Sequence, residues 1–223
     1  MSSPSGSSEV ESDLSIVLVR HGRTALNAAG QLRGRADPPL DECGNAEADR
    51  LASALSRIQV ASVISSPRRR ALQTATPIAS LHEVAVQVAD GLDDRDYGPW
   101  TSHSRDEVVL RFGSLDTAPG IEARATFEKR VLSAFHRIAA TSLGPDDGLL
   151  VLVAHDAVNR VLLARLVESL PDDPALIEQH TGCWNRLELV AGRWQATIVN
   201  ARPQRGTGAD GQVDLADQRG NHR

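Results

Sequence analysis

Short apolar runs recur along the chain, and nearly every one is followed by a stretch of helical period. Residues 16–19, 60–65, 84–89 and 148–155 read as strands. The first is apolar on both faces, as in a parallel sheet covered by helices. Between the strands, Asp41 can cap a helix running to about residue 56, with Ala48, Leu51, Ala52 and Leu55 on one face. Ser66-Pro67 reads as a second helix start, Ser at the cap and Pro at the first position, with the helix running to about 81. Residues 91–125 are less regular, with a short helix near 104–112. A longer helix spans 126–142, and helical period returns over 156–170 and 174–180. Residues 183–190 and 193–200 alternate like strands and can pair through Ala191-Gly192. Repeated strand–helix order predicts an α/β fold: a three-layer α/β/α sandwich, its sheet mostly parallel with helices on both faces. Ligands of such sheets sit beyond the C-terminal ends of the strands. Chemistry is therefore expected just after residues 19, 65, 89 and 154.

Composition narrows the picture. The 223 residues suit one α/β domain. Residues 1–13 and 203–223 carry mostly Ser, Gly, Pro and charged groups, so both read as disordered tails around a folded domain at 14–202. A net charge of −5 implies no general attraction to nucleic acid or to a membrane. No apolar run has the length to span a bilayer, and no basic segment leads into an apolar one near the N-terminus. Cys43 and Cys183 form no metal or redox spacing, so a reducing, cytoplasmic setting is expected. Lys129 is the one lysine among 24 basic residues. Cationic work thus falls to arginine, whose fixed charge and forked donors suit planar and tetrahedral anions.

The strand ends carry the candidate chemistry. His21 follows the first strand and His155 the fourth. If those strands are neighbours, the two imidazoles converge on one crevice. The second strand ends in Arg68-Arg69-Arg70 at a helix start, where cations oppose the helix dipole. An anion sharing that helix N-terminus accounts for them. Arg70, a turn from the cap, is expected to point inward, with Arg68 and Arg69 facing water. The third strand leads into "DGLDDRDYGPW", residues 90–100. Its aspartates suit a polar turn, but a carboxyl held near a phosphate would have a raised pKa and suit proton donation. No Gly-rich nucleotide loop, helical zinc pair or Gly-x-Ser-x-Gly elbow occurs, so no metal and no cofactor are expected.

"LVRHGRTALN", "SSPRRRALQTA", "GLDDRDYGPW" and "VLVAHDAVNR", in that order, resemble the histidine phosphatase superfamily, which includes cofactor-dependent phosphoglycerate mutases and many small phosphatases. The resemblance covers about residues 15–200. It implies that His21 attacks phosphorus and becomes phosphohistidine, that Arg20 and Arg70 bind the phosphate, and that His155 contacts the transferring group. Asn27 matches an assisting polar residue. Asp94 falls where small members place a Glu as proton donor, and Glu122 falls near the site mouth. Arg23 replaces a Glu or Gln and makes the rim more cationic. Asp156 follows the second histidine, as the proton donor does in the acid phosphatase branch. Asp94 is favoured, because its segment follows the small-enzyme pattern. Asp156 is the alternative donor, or else a cap for a helix beginning at Ala157.

The resemblance implies a metal-independent phosphatase acting on a small phosphate monoester. A short cover over 95–125 argues for hydrolysis over a mutase, which must keep its phosphoenzyme dry. A low-turnover phosphate-binding module is a further alternative, and a homodimer is left open. Of Trp100, Trp184 and Trp194, at least two are expected in the core.

Overall fold

The computed structural model describes residues 14–142 and 148–203. The two terminal segments read above as tails lie outside the described residues, Pro203 excepted. Six strands form one sheet: β1 (Leu14–Arg20), β2 (Val60–Ser65), β3 (Val86–Val88), β4 (Leu149–Ala154), β5 (Trp184–Val190) and β6 (Arg193–Ala201), in the order β3-β2-β4-β1-β5-β6. β1, β2, β3 and β4 are parallel, while β5 and β6 add an antiparallel hairpin beside β1. The sheet is therefore mixed, with its parallel part at the centre and one edge.

Alternation along β1 sets the layers. Ile16 and Leu18 pack with α5 (Arg124–Ser142) and α6 (Asp156–Leu166) on one face. Val17 and Val19 pack with α2 (Glu42–Leu55) and α3 (Arg69–Leu81) on the other. Such two-sided burial is why these strands read as unbroken apolar runs. The short α1 (Ala25–Ala28) follows β1, and α4 (Arg105–Phe112) covers a smaller cluster of Leu32, Tyr97, Val108, Leu115 and Ala118. Trp184 is buried beside β1, Trp194 packs on Phe135, and Trp100 lies half-buried against the small cluster.

Local expectations met tertiary demands at four places. Asp41 caps α2 as expected, accepting from the Gly44 N–H at 2.8 Å. Ser66 does not cap α3: the helix begins at Arg69, behind an extended Arg68, and Ser66 turns to His155 instead. The free Arg69 N–H is satisfied by Asp37, which accepts at 2.6 Å. α6 starts at Asp156 with His155 in the cap position, so Asp156 is not a cap for Ala157. That helix stops at Leu166, because buried Val167 is extended. In place of a helix over 174–180 there is a 3-10 turn at Pro174–Leu176. Ile177 beyond it is extended, and the segment carries the Gln179 carbonyl to Arg20.

Candidate active site

β1 and β4 are adjacent, with Arg20 in register with Ala154. The two residues that follow, His21 and His155, therefore leave the sheet side by side, their ring centroids 5.2 Å apart at an interplanar angle of 64°. Both are fully buried. The His21 main chain is fixed by its N–H donating to the Ala154 carbonyl and by the Gly22 N–H donating to Thr74 Oγ1. Gly22 and Gly44 face each other so closely that a methyl group on either would run into backbone of the other segment. Glycine at both positions is what lets the α2 N-terminus pack on the histidine loop.

The tautomers follow from the partners. His21 Nδ1 lies 2.7 Å from the Gly22 carbonyl, an acceptor, so Nδ1 carries the proton. Arg70 Nε donates to His21 Nε2 at 3.2 Å, which requires a lone pair there. For His155, Arg70 Nη2 lies 3.3 Å from Nδ1, which places the proton on Nε2, 2.7 Å from Ser66 Oγ. Burial, then the positive charges of Arg70 and Arg20, push His21 well below the ordinary histidine pKa. Burial, Arg70 and His21 do the same to His155. Both rings are neutral, and His21 presents an unprotonated nitrogen to the crevice.

Arg70 points inward as the helix-start argument predicts and is completely buried. Its guanidinium donates to the Ala36 carbonyl at 2.7 Å, the Gly34 carbonyl at 2.9 Å and Asp94 Oδ2 at 2.9 Å. Its two neighbours differ. Arg69 is exposed, as expected, but Arg68 does not face water: it grips Asp93 through Nε at 2.6 Å and Nη2 at 2.5 Å. Arg20 donates to the Gln179 carbonyl. Gln179 is held in turn by Asn185, with Asn159 donating to it at 3.3 Å.

The two candidate carboxyls have opposite electrostatics. Asp94 is fully buried, and its Oδ2 stands 3.8 Å from His155 Nδ1. Burial raises its pKa, against Arg70 and Arg33 and with help from the Asp156 charge. Burial also opposes ionisation of Asp156, yet Arg20, Arg33 and Arg160 together hold it well below the ordinary carboxylate range. Asp156 Oδ1 accepts from Arg33 Nη2 at 3.1 Å. Burial thus shifts Asp94 toward its neutral form, and the surrounding arginines shift Asp156 toward its ionised form.

Other sequence-picked residues lie differently. Asn27 closes a capping box with Thr24, its carboxamide oxygen accepting from the Thr24 N–H at 3.1 Å and the hydroxyl at 2.8 Å. Arg23 is 43 % exposed and paired with Asp41 at 2.8 Å, so its guanidinium is not brought together with those of Arg20 and Arg70. Glu122 is engaged by Arg130 at 2.9 Å and accepts from the Asp96 N–H at 3.1 Å. Arg130 also donates to the carbonyls of Gly91, Asp93 and Asp94, clamping the loop that carries the buried carboxyl.

Ser66, Arg33, Arg130 and Gln179 went unassigned by sequence reasoning. Ser66 was visible only as a cap, and Arg33 differs from exposed Arg35 by nothing local. Arg130 and Gln179 act through contacts far away in sequence.

The sequence profile of the histidine phosphatase superfamily, branch 1, matches residues 16–202. The chain is 28 % identical over 195 residues to the adenosylcobalamin/alpha-ribazole phosphatase of Salmonella typhimurium, covering 83 % of this chain and 95 % of that one. It is 30 % identical over 215 residues to the glucosyl-3-phosphoglycerate phosphatase of Mycolicibacterium vanbaalenii, covering 85 % and 95 %. The solved structure of a mycobacterial glucosyl-3-phosphoglycerate phosphatase superposes with a TM-score of 0.73 at 26 % identity, over 84 % of this chain and 99 % of that one. No helix among the described residues is long and apolar enough to cross a membrane.

Proposed function

This chain belongs to the histidine phosphatase superfamily, and from that premise we propose that it hydrolyses a small phosphate monoester through a phosphohistidine on His21. The observation that carries the reading is the shared guanidinium of Arg70, bonded at once to the lone pair of His21 Nε2, to His155 Nδ1 and to Asp94. An entering phosphoryl group meets a neutral nucleophile, two arginines and a second imidazole on one small surface. Phosphoryl transfer asks a protein chiefly for positioning and charge stabilisation. Arg20, Arg70 and His155 stabilise the negative charge spread over the equatorial oxygens, with no metal called for.

His21 Nε2 attacks phosphorus, and the P–O ester bond breaks as the N–P bond forms. Asp94, whose environment favours its protonated form, gives its proton to the departing alcohol oxygen. The resulting carboxylate then takes a proton from water as that water attacks phosphohistidine. Inorganic phosphate leaves, and His21 and Asp94 return to their starting states. Asp156 is a poor donor in this reading, because its arginine neighbours keep it ionised. Its role is to hold Arg33 at the edge of the crevice. Asn27 fixes the turn after the nucleophile through its capping box.

The relatives named above act on phosphorylated small molecules, which supports a substrate of that class here. The test is phosphate release from p-nitrophenyl phosphate without added metal, together with trapping of an acid-labile phosphoenzyme. His21→Ala is expected to abolish both. Undiminished turnover in that variant overturns the nucleophile assignment. Phosphate binding without turnover in the wild type overturns the phosphatase reading.

A further inference from the structure

The β5–β6 hairpin is interrupted close to the crevice. Trp184 pairs with Ala201 and Arg186 with Ile198, so Asn185 stands opposite two residues, Val199 and Asn200. This is a β-bulge, a device that re-aims side chains and is frequent beside active sites. Asn200 is left-handed there, with φ 54°. Glycine occupies that region without strain, whereas asparagine only tolerates it. Backbone demands alone therefore favour glycine at 200, and what asparagine adds is its amide.

Both amides of the bulge reach one segment. Asn185 is fully buried and exchanges two hydrogen bonds with the side chain of Gln179. Gln179 Nε2 donates to Asn185 Oδ1 at 2.7 Å, and Asn185 Nδ2 donates to Gln179 Oε1 at 2.9 Å. Asn185 Nδ2 also donates to the Leu18 carbonyl of β1 at 3.1 Å, and its Oδ1 accepts from the Asn200 N–H at 2.8 Å. Asn200 Oδ1 in turn accepts from the His180 N–H at 2.8 Å. That N–H belongs to the same peptide group as the Gln179 carbonyl, which accepts from Arg20. The group is planar and trans, so fixing its N–H fixes the direction of its carbonyl. Arg20 is thereby held by one end of its fork. Its Nε is buried and, among the described residues, without a partner, so that N–H is free for a phosphoryl oxygen.

Resting on the phosphatase reading, we propose that Asn200 is a positioning residue, which aims Arg20 at the transferring phosphoryl group through the 179–180 peptide. Asn185 locks the Gln179 side chain of the same unit. The surrounding segment has separate ties to the histidine loop and α2. The Gly182 N–H donates to the His21 carbonyl at 3.2 Å, and Thr181 donates to Glu47 at 3.1 Å. Loss of the Asn200 amide therefore frees one peptide to rotate and leaves the segment in place.

The test uses the full chain and p-nitrophenyl phosphate. Asn200→Gly removes the amide and relieves the left-handed backbone, so the fold is kept. Its kcat/KM is expected to fall about tenfold, because a small misplacement of a charged group is enough to slow the reaction. Asn200→Asp keeps the acceptor oxygen and is expected to stay within about threefold of wild type. In an Arg20→Gln background, Asn200→Gly is expected to change kcat/KM by less than about twofold, since the group it aims is gone. An unchanged kcat/KM in Asn200→Gly overturns the inference. So does an Asn200→Asp enzyme as slow as Asn200→Gly, or an equal loss in both backgrounds, which marks a general effect on the fold. In each of these cases, His21-dependent turnover by the wild type leaves the phosphatase reading standing. Absence of wild-type turnover overturns both.

Discussion

The crevice is built by two regions that work in different ways. His21, Arg70 and His155 follow the ends of parallel strands or open the next helix, and backbone register brings them together. Asp94 sits in a segment with no regular structure beyond two 3-10 turns at Asp90–Leu92 and Gly98–Trp100. Its position depends on side chains from elsewhere: Arg130 of α5 on three carbonyls, Arg68 on Asp93 and Arg70 on the carboxylate itself. His21 is held by the sheet, whereas Asp94 is held by arginines. Changes at the two regions should therefore fail differently, one in phosphoenzyme formation and the other in leaving-group dependence.

The sharpest cut is at Asp94, the proposed donor. Asp94→Asn keeps the shape and removes the proton. Steady-state kinetics should show turnover of alkyl phosphates falling by about 10²–10³, with p-nitrophenyl phosphate, whose leaving group needs little help, much less affected. If Asp156→Asn shows that pattern instead, the two carboxyls exchange roles. The clamp comes next. Arg130→Met removes the donor from three loop carbonyls and leaves the Glu122 carboxylate with the Asp96 N–H. A loss of about tenfold in kcat for alkyl phosphates is expected, with trapped phosphoenzyme still forming from p-nitrophenyl phosphate, and a stability cost of about 1–3 kcal/mol in urea unfolding. Equal losses for both leaving groups would show that the clamp holds more than the donor.

The sheet-held region has its own signature in pH. In the fold, both imidazoles lie well below their ordinary value of 6.5, first through burial and then through Arg70. The unfolded chain protonates them near that value, so below it the unfolded state binds more protons. Their contribution to stability is intact above pH 6.5 and declines as pH falls, by about 1.4 kcal/mol per pH unit for each ring. Urea unfolding at pH 7.5 and 5.5 reads this directly, and an unchanged midpoint would contradict neutral buried rings. The smallest effect is expected from Arg23→Gln. The side chain is 43 % exposed on Asp41, so the change should leave the urea midpoint nearly unmoved and alter kcat/KM by less than about threefold. A larger kinetic loss would place Arg23 on the substrate.

The same contrast explains what the sequence revealed. Strand ends are local objects: apolar runs stop, and the residue after the stop is named by the sequence. His21, His155 and inward-facing Arg70 were legible for that reason, and so was the three-layer sandwich. Side chains tied by distant partners were not. Nothing near Arg68 announces Asp93, and nothing near Ser66 announces an imidazole across the sheet. Capping rules assigned Ser66 and Asp156 to helix starts. Each had a stronger claim on its polar atoms from the crevice, and that claim won. The 174–180 segment gave up helical period to bring one carbonyl to Arg20.

The hairpin that closes the sheet has a practical corollary. β5 runs antiparallel to β1, so Trp184 pairs with Val19 at the crevice end, and β6 returns there with Ala201 against Trp184. Leu14, by contrast, begins β1 at the far end. Anything fused or tethered through the amino side of Leu14 departs away from the opening, while an attachment just past Ala201 starts out beside it. A surface-immobilised or tagged form intended to keep its mouth clear should be anchored at the amino side.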